Sequence, residues 1–189
     1  MLKTAAKKYT VFALFFVAVT TFALWLSIFV SESEVAQELV AKYGYLGIFV
    51  MGTVSGFNLA FPVPAVAFVP VFTASGLSAV PAVILMALGM TLGDLAGYFI
   101  GRAGHEVLLK NHNSDNGILG KFREKLRRAP LLLLFLYIAF VPFPNEILVI
   151  PMGFIGYRLK HIFPVILAGN MIFNTLASLA FLGIFQQIM

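Results

Sequence analysis

Two long apolar stretches of this chain are each interrupted by closely spaced prolines. The first covers residues 44–76 and contains "PVPA", and the second covers residues 130–157 and contains "PFPN". Proline inside a helix removes a backbone donor and clashes with the preceding turn, which costs about 3 kcal/mol. Each stretch is therefore predicted to fold as a hairpin of two helical segments. The predicted helix breaks are Pro62, Pro64, Pro142, Pro144, Pro151 and Gly153.

The composition indicates an integral membrane protein. Of 189 residues, 60% are hydrophobic and only 11% are charged, whereas soluble domains have about 25% charged residues. The absence of cysteine excludes disulfides, thiolate catalysis and cysteine metal sites. The net charge of +5 does not indicate a nucleic-acid partner, because the basic residues flank apolar segments. These features predict an all-α polytopic membrane protein.

The N-terminal region is predicted to be a retained membrane anchor followed by a short surface helix. Residues 9–30 form a 22-residue run without a charge, too long for the apolar core of a signal peptide. Ser31 and Glu34 have the spacing of a capping box, which predicts an amphipathic helix over 31–43. The predicted division is 1–43 for the anchor and interfacial helix and 44–189 for the membrane domain.

The distribution of charge predicts the topology. The segment 102–129 carries seven basic and three acidic residues, so the positive-inside rule makes it a cytoplasmic loop and the N-terminus cytoplasmic too. With 81–100 and 162–188 as spanning segments, the first proline-broken stretch must start and end outside, and the second must start and end inside. The expected location is a plasma membrane of prokaryotic type.

Two readings of the broken stretches remain open. Each could be a full hairpin of two tight spans, or a re-entrant hairpin that turns back inside the membrane. A 15-residue arm rises about 22 Å, less than the roughly 30 Å of hydrocarbon, which favours the re-entrant form.

The two halves of the chain also align when shifted by 80 residues. The shift superimposes the two proline pairs, Gly76 on Gly156, and Asp94 on Asn174, while Pro70 and Pro151 miss by one position. Because the two hairpins start from opposite sides, the sequence predicts an inverted repeat of two re-entrant hairpins plus spanning helices. Transporters commonly use such repeats, with broken helices meeting around a substrate.

The polar residues inside these apolar segments are the candidate functional residues. Glu146 follows the second proline break, and burial disfavours its charged form, so a proton-carrying role is expected; a carboxylate capping the next helix is the alternative. Asp94, Tyr98 and Arg102 share a helix face, which suggests an Asp94–Arg102 pair or a phosphate contact by Arg102. The predicted substrate and proton pathway comprises Glu146, Asn145, Asp94, Arg102, Arg158, Asn170 and Asn174. No metal site, cofactor or enzymatic activity is expected.

The segment "GDLAGYFIGRAG" resembles the signature of the DedA/VTT superfamily of membrane proteins. The resemblance rests on Gly93, Asp94, Tyr98, Gly101, Arg102 and Gly104, with the proline-rich hairpins in support, and it covers about residues 40–188. It implies two opposed re-entrant hairpins and lipid transport, such as movement of a polyprenyl phosphate or phospholipids. Ala65 stands where many bacterial members carry a carboxylate, and Asn145-Glu146 where many carry an arginine.

The expected function is that of a lipid flippase or scramblase-like transporter. A small-solute or drug exporter and a non-transporting membrane scaffold are the alternatives. The expected partners are membrane lipids, with protons as a candidate coupling ion and a second copy of the chain as a candidate subunit.

Overall fold

A computed structural model describes residues 32–57, 65–109 and 130–188, with seven further positions between 17 and 29. The predicted break at Pro62 and Pro64, Ser31, most of the predicted anchor and most of the 102–129 loop lie outside the described residues. The described part of the chain contains helices and turns and no strand.

The first helix, α1, spans Glu34–Ser55 and is longer than predicted. Ser33 is its N-cap, and the Ser33 side chain accepts a hydrogen bond from the Ala36 amide at 3.3 Å. The prediction of a separate short helix over 31–43 is wrong, because α1 continues unbroken for 22 residues. The acidic N-terminal residues and the apolar residues that follow them belong to one continuous helix. Gly44 is buried where this helix passes Leu77.

Two hairpins can be defined from the remaining short elements. The first hairpin runs from α1 to a 3-10 turn (Ala65–Phe68) and α2 (Val69–Ala74). The second hairpin consists of α4 (Pro130–Phe140), the connection 141–145 and α5 (Glu146–Phe154).

The prolines of the second hairpin differ in their effect on the helices. Pro142 and Pro144 lie in the connection, which confirms the predicted break there. Pro151 and Gly153 lie inside α5, so the predicted breaks at these two positions are wrong. Pro151 removes one amide from the helical ladder, and the helix continues through it to Phe154. Gly153 instead allows a close contact with the carbonyl oxygen of Tyr98.

Two long helices form the centre of the fold. They are α3 (Ala79–Leu109) and α6 (Leu159–Ile188), of 31 and 30 residues, and each contains 29 residues long and apolar enough to cross a membrane. The predicted end of α3 at Ile100 is wrong, because the helix continues nine residues farther, to Leu109. Fifteen residues therefore separate Asp94 from each end of α3, which places it at mid-helix, about 22 Å from either end.

The turns that lead into α3 and α6 have the same geometry. Gly76 and Gly156 have φ angles of +85° and +83°, a left-handed conformation that glycine adopts without steric cost. The next amide bonds back to the carbonyl five residues earlier in both turns, Leu77 to Phe72 and Tyr157 to Met152, each at 3.1 Å. This 6→1 bond is the hallmark of a Schellman motif. The local backbone thus repeats at the 80-residue shift.

The two hairpins lie against opposite halves of α3. Gly52 of α1 and its C-cap Gly56 meet the backbone of Met86 and Met90, so α1 runs parallel to α3 along its N-terminal half. Farther along, Gly101 of α3 meets the backbone of Ile150 in α5. The end of α1 and the start of α5 therefore contact α3 at neighbouring levels near its middle, at Gly93 and Gly97.

The second long helix, α6, crosses both halves of the fold. Asn170 bonds to Asp94 while Asn174 lies beside Met90, so α6 runs antiparallel to α3. Its early residues pack in an apolar cluster with the second hairpin, and its later residues pack against a cluster around the first hairpin.

Candidate functional site

Polar side chains that are far apart in sequence meet at the middle of α3. Asp94, Asn145, Glu146, Asn170 and Asn174 are all 5% exposed or less. They come from α3, from the turn of the second hairpin and from α6. The structure thus brings together five of the seven residues predicted for the substrate and proton pathway, in a group called the polar cluster below.

Asp94 is the centre of the hydrogen bonds in the polar cluster. Its Oδ2 accepts hydrogen bonds from the side-chain amides of Asn145 at 3.0 Å and Asn170 at 2.8 Å. Asn145 also donates to Asn170 Oδ1 at 3.2 Å. One carboxylate oxygen therefore links α3, α6 and the turn of the second hairpin.

Thr91 also belongs to the polar cluster, and the sequence reasoning missed it. Its hydroxyl oxygen accepts from Asn170 at 3.1 Å and donates to the carbonyl of Ala87 at 2.7 Å. The signal in the sequence was its position three residues before Asp94, which puts both on one helix face.

Glu146 is the second buried acid of the polar cluster. It is the first residue of α5 and is 1% exposed, and it lies close enough to Asp94 for the two carboxyl groups to interact electrostatically. Gly97 makes its approach to α3 possible, since an added Cβ there would lie 3.2 Å from Glu146 Cγ. An acid at a helix N-terminus is stabilised by the helix dipole, so the position suits both a capping and a proton-carrying role.

The polar cluster contains acids and amides, and its described contacts include no basic side chain. Asp94 hydrogen-bonds only to the two amides. The nearest further titratable group in the described contacts is Tyr137 of α4, whose hydroxyl donates to the carbonyl of Pro144 at 3.4 Å.

The two predicted arginines lie away from the polar cluster. The suggested Asp94–Arg102 pair is absent, because Arg102 is 44% exposed and pairs instead with Glu106, at 3.7 Å between Nε and Oε1. Arg102 also lies beside the turn at Gly156, two residues before the exposed Arg158. Both arginines therefore flank the same turn, at the end of the second hairpin that lies away from the polar cluster.

The glycines of "GDLAGYFIGRAG" position the hairpins against α3. A Cβ added at Gly93 would collide with the backbone of α1, and one added at Gly101 with the backbone of α5. Tyr98 fixes the end of α5 by donating from its hydroxyl to the carbonyl of Tyr157 at 2.6 Å. His105 Nδ1 lies 2.6 Å from the carbonyl oxygen of Phe154. The motif thus supplies close contacts, one central acid and one side-chain hydrogen bond to the second hairpin, and His105 directly after it supplies another contact.

The described residues contain no group of three or more histidines and acids that could hold a metal ion. What the polar cluster offers is two carboxyl groups and several amide groups in an apolar surrounding. No protein-family model, curated protein or solved structure matches this chain.

Proposed function

We propose that this chain is an integral membrane transporter of the DedA/VTT kind, which moves a lipid between leaflets with protons as the coupling ion. The observation that carries the proposal is the polar cluster itself. Two acids and three amides are buried at the middle of an apolar helix of 31 residues. Ionisable residues at such depth are costly in a membrane and usually mark a transport or proton pathway.

The lengths of the short helices support hairpins that turn back inside the membrane. The arms of the second hairpin have 11 and 9 residues, which rise about 16 and 14 Å against about 30 Å of hydrocarbon. Since the hairpins lie on opposite halves of α3, they would dip from opposite sides. This is the inverted-repeat architecture in which transporters place a site near the midplane.

The positions of the two arginines support a lipid with an anionic headgroup. Arg102 and Arg158 are exposed beside one turn, and arginine binds phosphate through several donors at once. We place the headgroup contact at this turn and the exchangeable proton at Asp94 and Glu146. The location that follows is a plasma membrane with the arginines on the cytoplasmic side.

Reconstitution in liposomes tests the proposed activity. Purified protein would be inserted into vesicles that carry a fluorescent polyprenyl phosphate or phospholipid in one leaflet, and movement would be followed by quenching from outside. We expect transfer that accelerates under an imposed pH gradient, with Asp94→Asn as the inactive control. No lipid movement, together with efflux of a cationic drug, would favour a solute exporter, and neither activity would favour a scaffold.

Labelling of single cysteines tests the architecture, because the chain has no native cysteine. Val63→Cys and Phe143→Cys would mark the turns of the two hairpins. We expect a membrane-impermeant reagent to reach the first from the outside only and the second from the inside only. Labelling of both from one side would reject the opposed hairpins.

A further inference from the structure

One face of α6 carries a line of buried polar residues that extends beyond the polar cluster. Asn170, Asn174 and Ser178 follow one another at four-residue intervals, and each is 2% exposed or less. The residues of α6 between them are apolar except Thr175, which is exposed and whose hydroxyl donates to the carbonyl of Met171 at 2.7 Å. Ser178 lies one helical turn beyond the last predicted pathway residue, and the sequence reasoning did not single it out.

Three oxygen atoms along this line have no hydrogen-bond partner among the described residues. They are Asp94 Oδ1, Asn174 Oδ1 and Ser178 Oγ, and all three are buried. A buried polar atom without a partner costs about 1–3 kcal/mol. Proteins usually satisfy such atoms with bound water where the site is polar enough.

The spacing of these atoms fits bridging water molecules. Residues four apart on a helix are separated by about 6 Å along the axis. Two hydrogen bonds of about 2.8 Å in series cover nearly that distance, so one water can join the side chains of Asn174 and Ser178.

We infer that a file of water molecules along Asn174 and Ser178 connects Asp94 to the side of the membrane from which the first hairpin enters. The file carries protons from that side to Asp94. This inference rests on the proposed proton coupling. A water next to Asp94 gives a proton to Oδ1, and an O–H bond forms there. That water takes a replacement proton from the next water in the file, and the last water takes one from the solution on the side of the first hairpin, so charge moves without net movement of water.

The direction of the file follows from the packing of α6. Beyond Asn174 the helix contacts the apolar cluster of the first hairpin through Ala177, Phe181 and Leu182. The titratable group facing Asp94 from the second hairpin is Glu146, with Tyr137 of α4 behind it. From α6 only amides and the Ser178 hydroxyl face this line. Asp94 therefore has water on one side and Glu146 on the other.

Silver ions can test the file, because they react with thiols and are small enough to follow water. Single variants Ser178→Cys and Ile166→Cys would be placed in the full chain in vesicles, which is otherwise free of cysteine. Both positions lie on α6 and are at most 2% exposed, but Ile166 belongs to an apolar cluster. Leu179→Cys, on the exposed face of α6, controls for access through lipid. The remaining free thiol would be quantified by mass spectrometry.

We expect Ser178→Cys to lose its thiol at least tenfold faster than Ile166→Cys, and only when silver is added on the side of the first hairpin. Equal rates for the two variants, or access from the opposite side alone, would overturn the inference. Asn174→Cys provides the same comparison if Ser178→Cys does not fold. Because the readout is thiol modification, it reports the water file whether or not a lipid is transported, and a failed lipid assay would not decide it.

Discussion

The two hairpins share a backbone plan but differ in the chemistry of their turns. Each ends in a left-handed glycine that leads into a long helix. Yet Ala65 and Val66 stand at the positions that correspond to Asn145 and Glu146 after the 80-residue shift. Ala65 and Val66 of the first hairpin are buried in an apolar cluster, while Asn145 and Glu146 of the second belong to the polar cluster around Asp94.

Both hairpins share the glycine turn that leads into a long helix, whereas at these two corresponding positions the amide and the acid occur in the second hairpin alone. The long helices differ at one of two corresponding positions. Asp94 of α3 corresponds to Asn174 of α6, and both belong to the polar cluster, whereas Met90 of α3 corresponds to Asn170 of α6. The predictions below test the shared frame and the unshared chemistry separately.

The largest effect is expected from glycines that form the shared frame. Gly56→Leu in the first hairpin and Gly153→Leu in the second would each drive a side chain into the backbone of α3. We expect both to lose at least about 3 kcal/mol of stability and most of the folded protein, as seen by size-exclusion chromatography after heating. Gly47→Leu is the matched control, since nothing lies within 4 Å of an added Cβ there. A tolerated substitution in only one hairpin would mean that the frame is not shared.

Copying the acid of the second hairpin into the first should also be costly. Val66 is 4% exposed within the apolar cluster, so Val66→Glu buries a carboxyl group with no amide partner. The expected loss of stability is about 3 kcal/mol, measured by thermal unfolding in detergent, with Val66→Ile as the control. An unchanged melting temperature would show that the side chain at position 66 also has a polar environment in the first hairpin.

Removing the titratable group of the second hairpin should affect transport more than folding. Glu146→Gln keeps the size and hydrogen-bonding capacity of the side chain but cannot release a proton. We expect a normal fold, a flat pH profile and a rate at least about tenfold lower, equivalent to about 1.4 kcal/mol on the barrier.

The readout for Glu146→Gln is lipid movement in liposomes at several pH values. Glu106→Gln, which changes an exposed acid on α3, should behave as wild type. A wild-type pH profile for Glu146→Gln would mean that Glu146 only caps α5. A misfolded variant would mean that the carboxyl group is required for folding.

The smallest effect is expected from the tyrosines that tie the turns to the helices. Tyr98→Phe removes the 2.6 Å hydrogen bond to Tyr157, which should cost about 1 kcal/mol. Tyr45→Phe removes the acceptor of the exposed Ser78 amide at 3.2 Å in the first hairpin, and water can replace it. Comparing the two melting temperatures shows whether the second hairpin is held more tightly, and equal shifts would count against that difference.

Much of the candidate site could be predicted from sequence because it is marked by rare residues. An acid or amide in a long apolar segment must find a partner, and Asp94, Asn145, Asn170 and Asn174 do so. The prediction for Arg102 failed because an i, i+8 relation on one helix does not bring two side chains into contact. Ser178 and Thr91 were missed because serine and threonine are common in apolar helices, so that only their spacing distinguishes them.

The boundaries of helices were predicted less well than their existence. Gly44 and Pro151 were each read as marking an edge, yet helices pass through both. A glycine weakens a helix by about 1 kcal/mol, and packing against a neighbouring element can outweigh that. The end of α3 was placed too early because charged residues were taken as the end of the helix, although a helix can leave an apolar environment with its hydrogen bonds intact.

The glycines of α3 also bear on how the molecule can move. Gly89, Gly93, Gly97 and Gly101 follow at four-residue intervals and lie against the hairpins. Most helix contacts interlock side chains as ridges in grooves, and sliding requires those side chains to rearrange. Glycines have no side chains that must rearrange in this way, and their four-residue repeat corresponds to a step of about 6 Å along the helix. A hairpin that moved along α3 by one such step would meet the next glycine, and the same close backbone contact would form again.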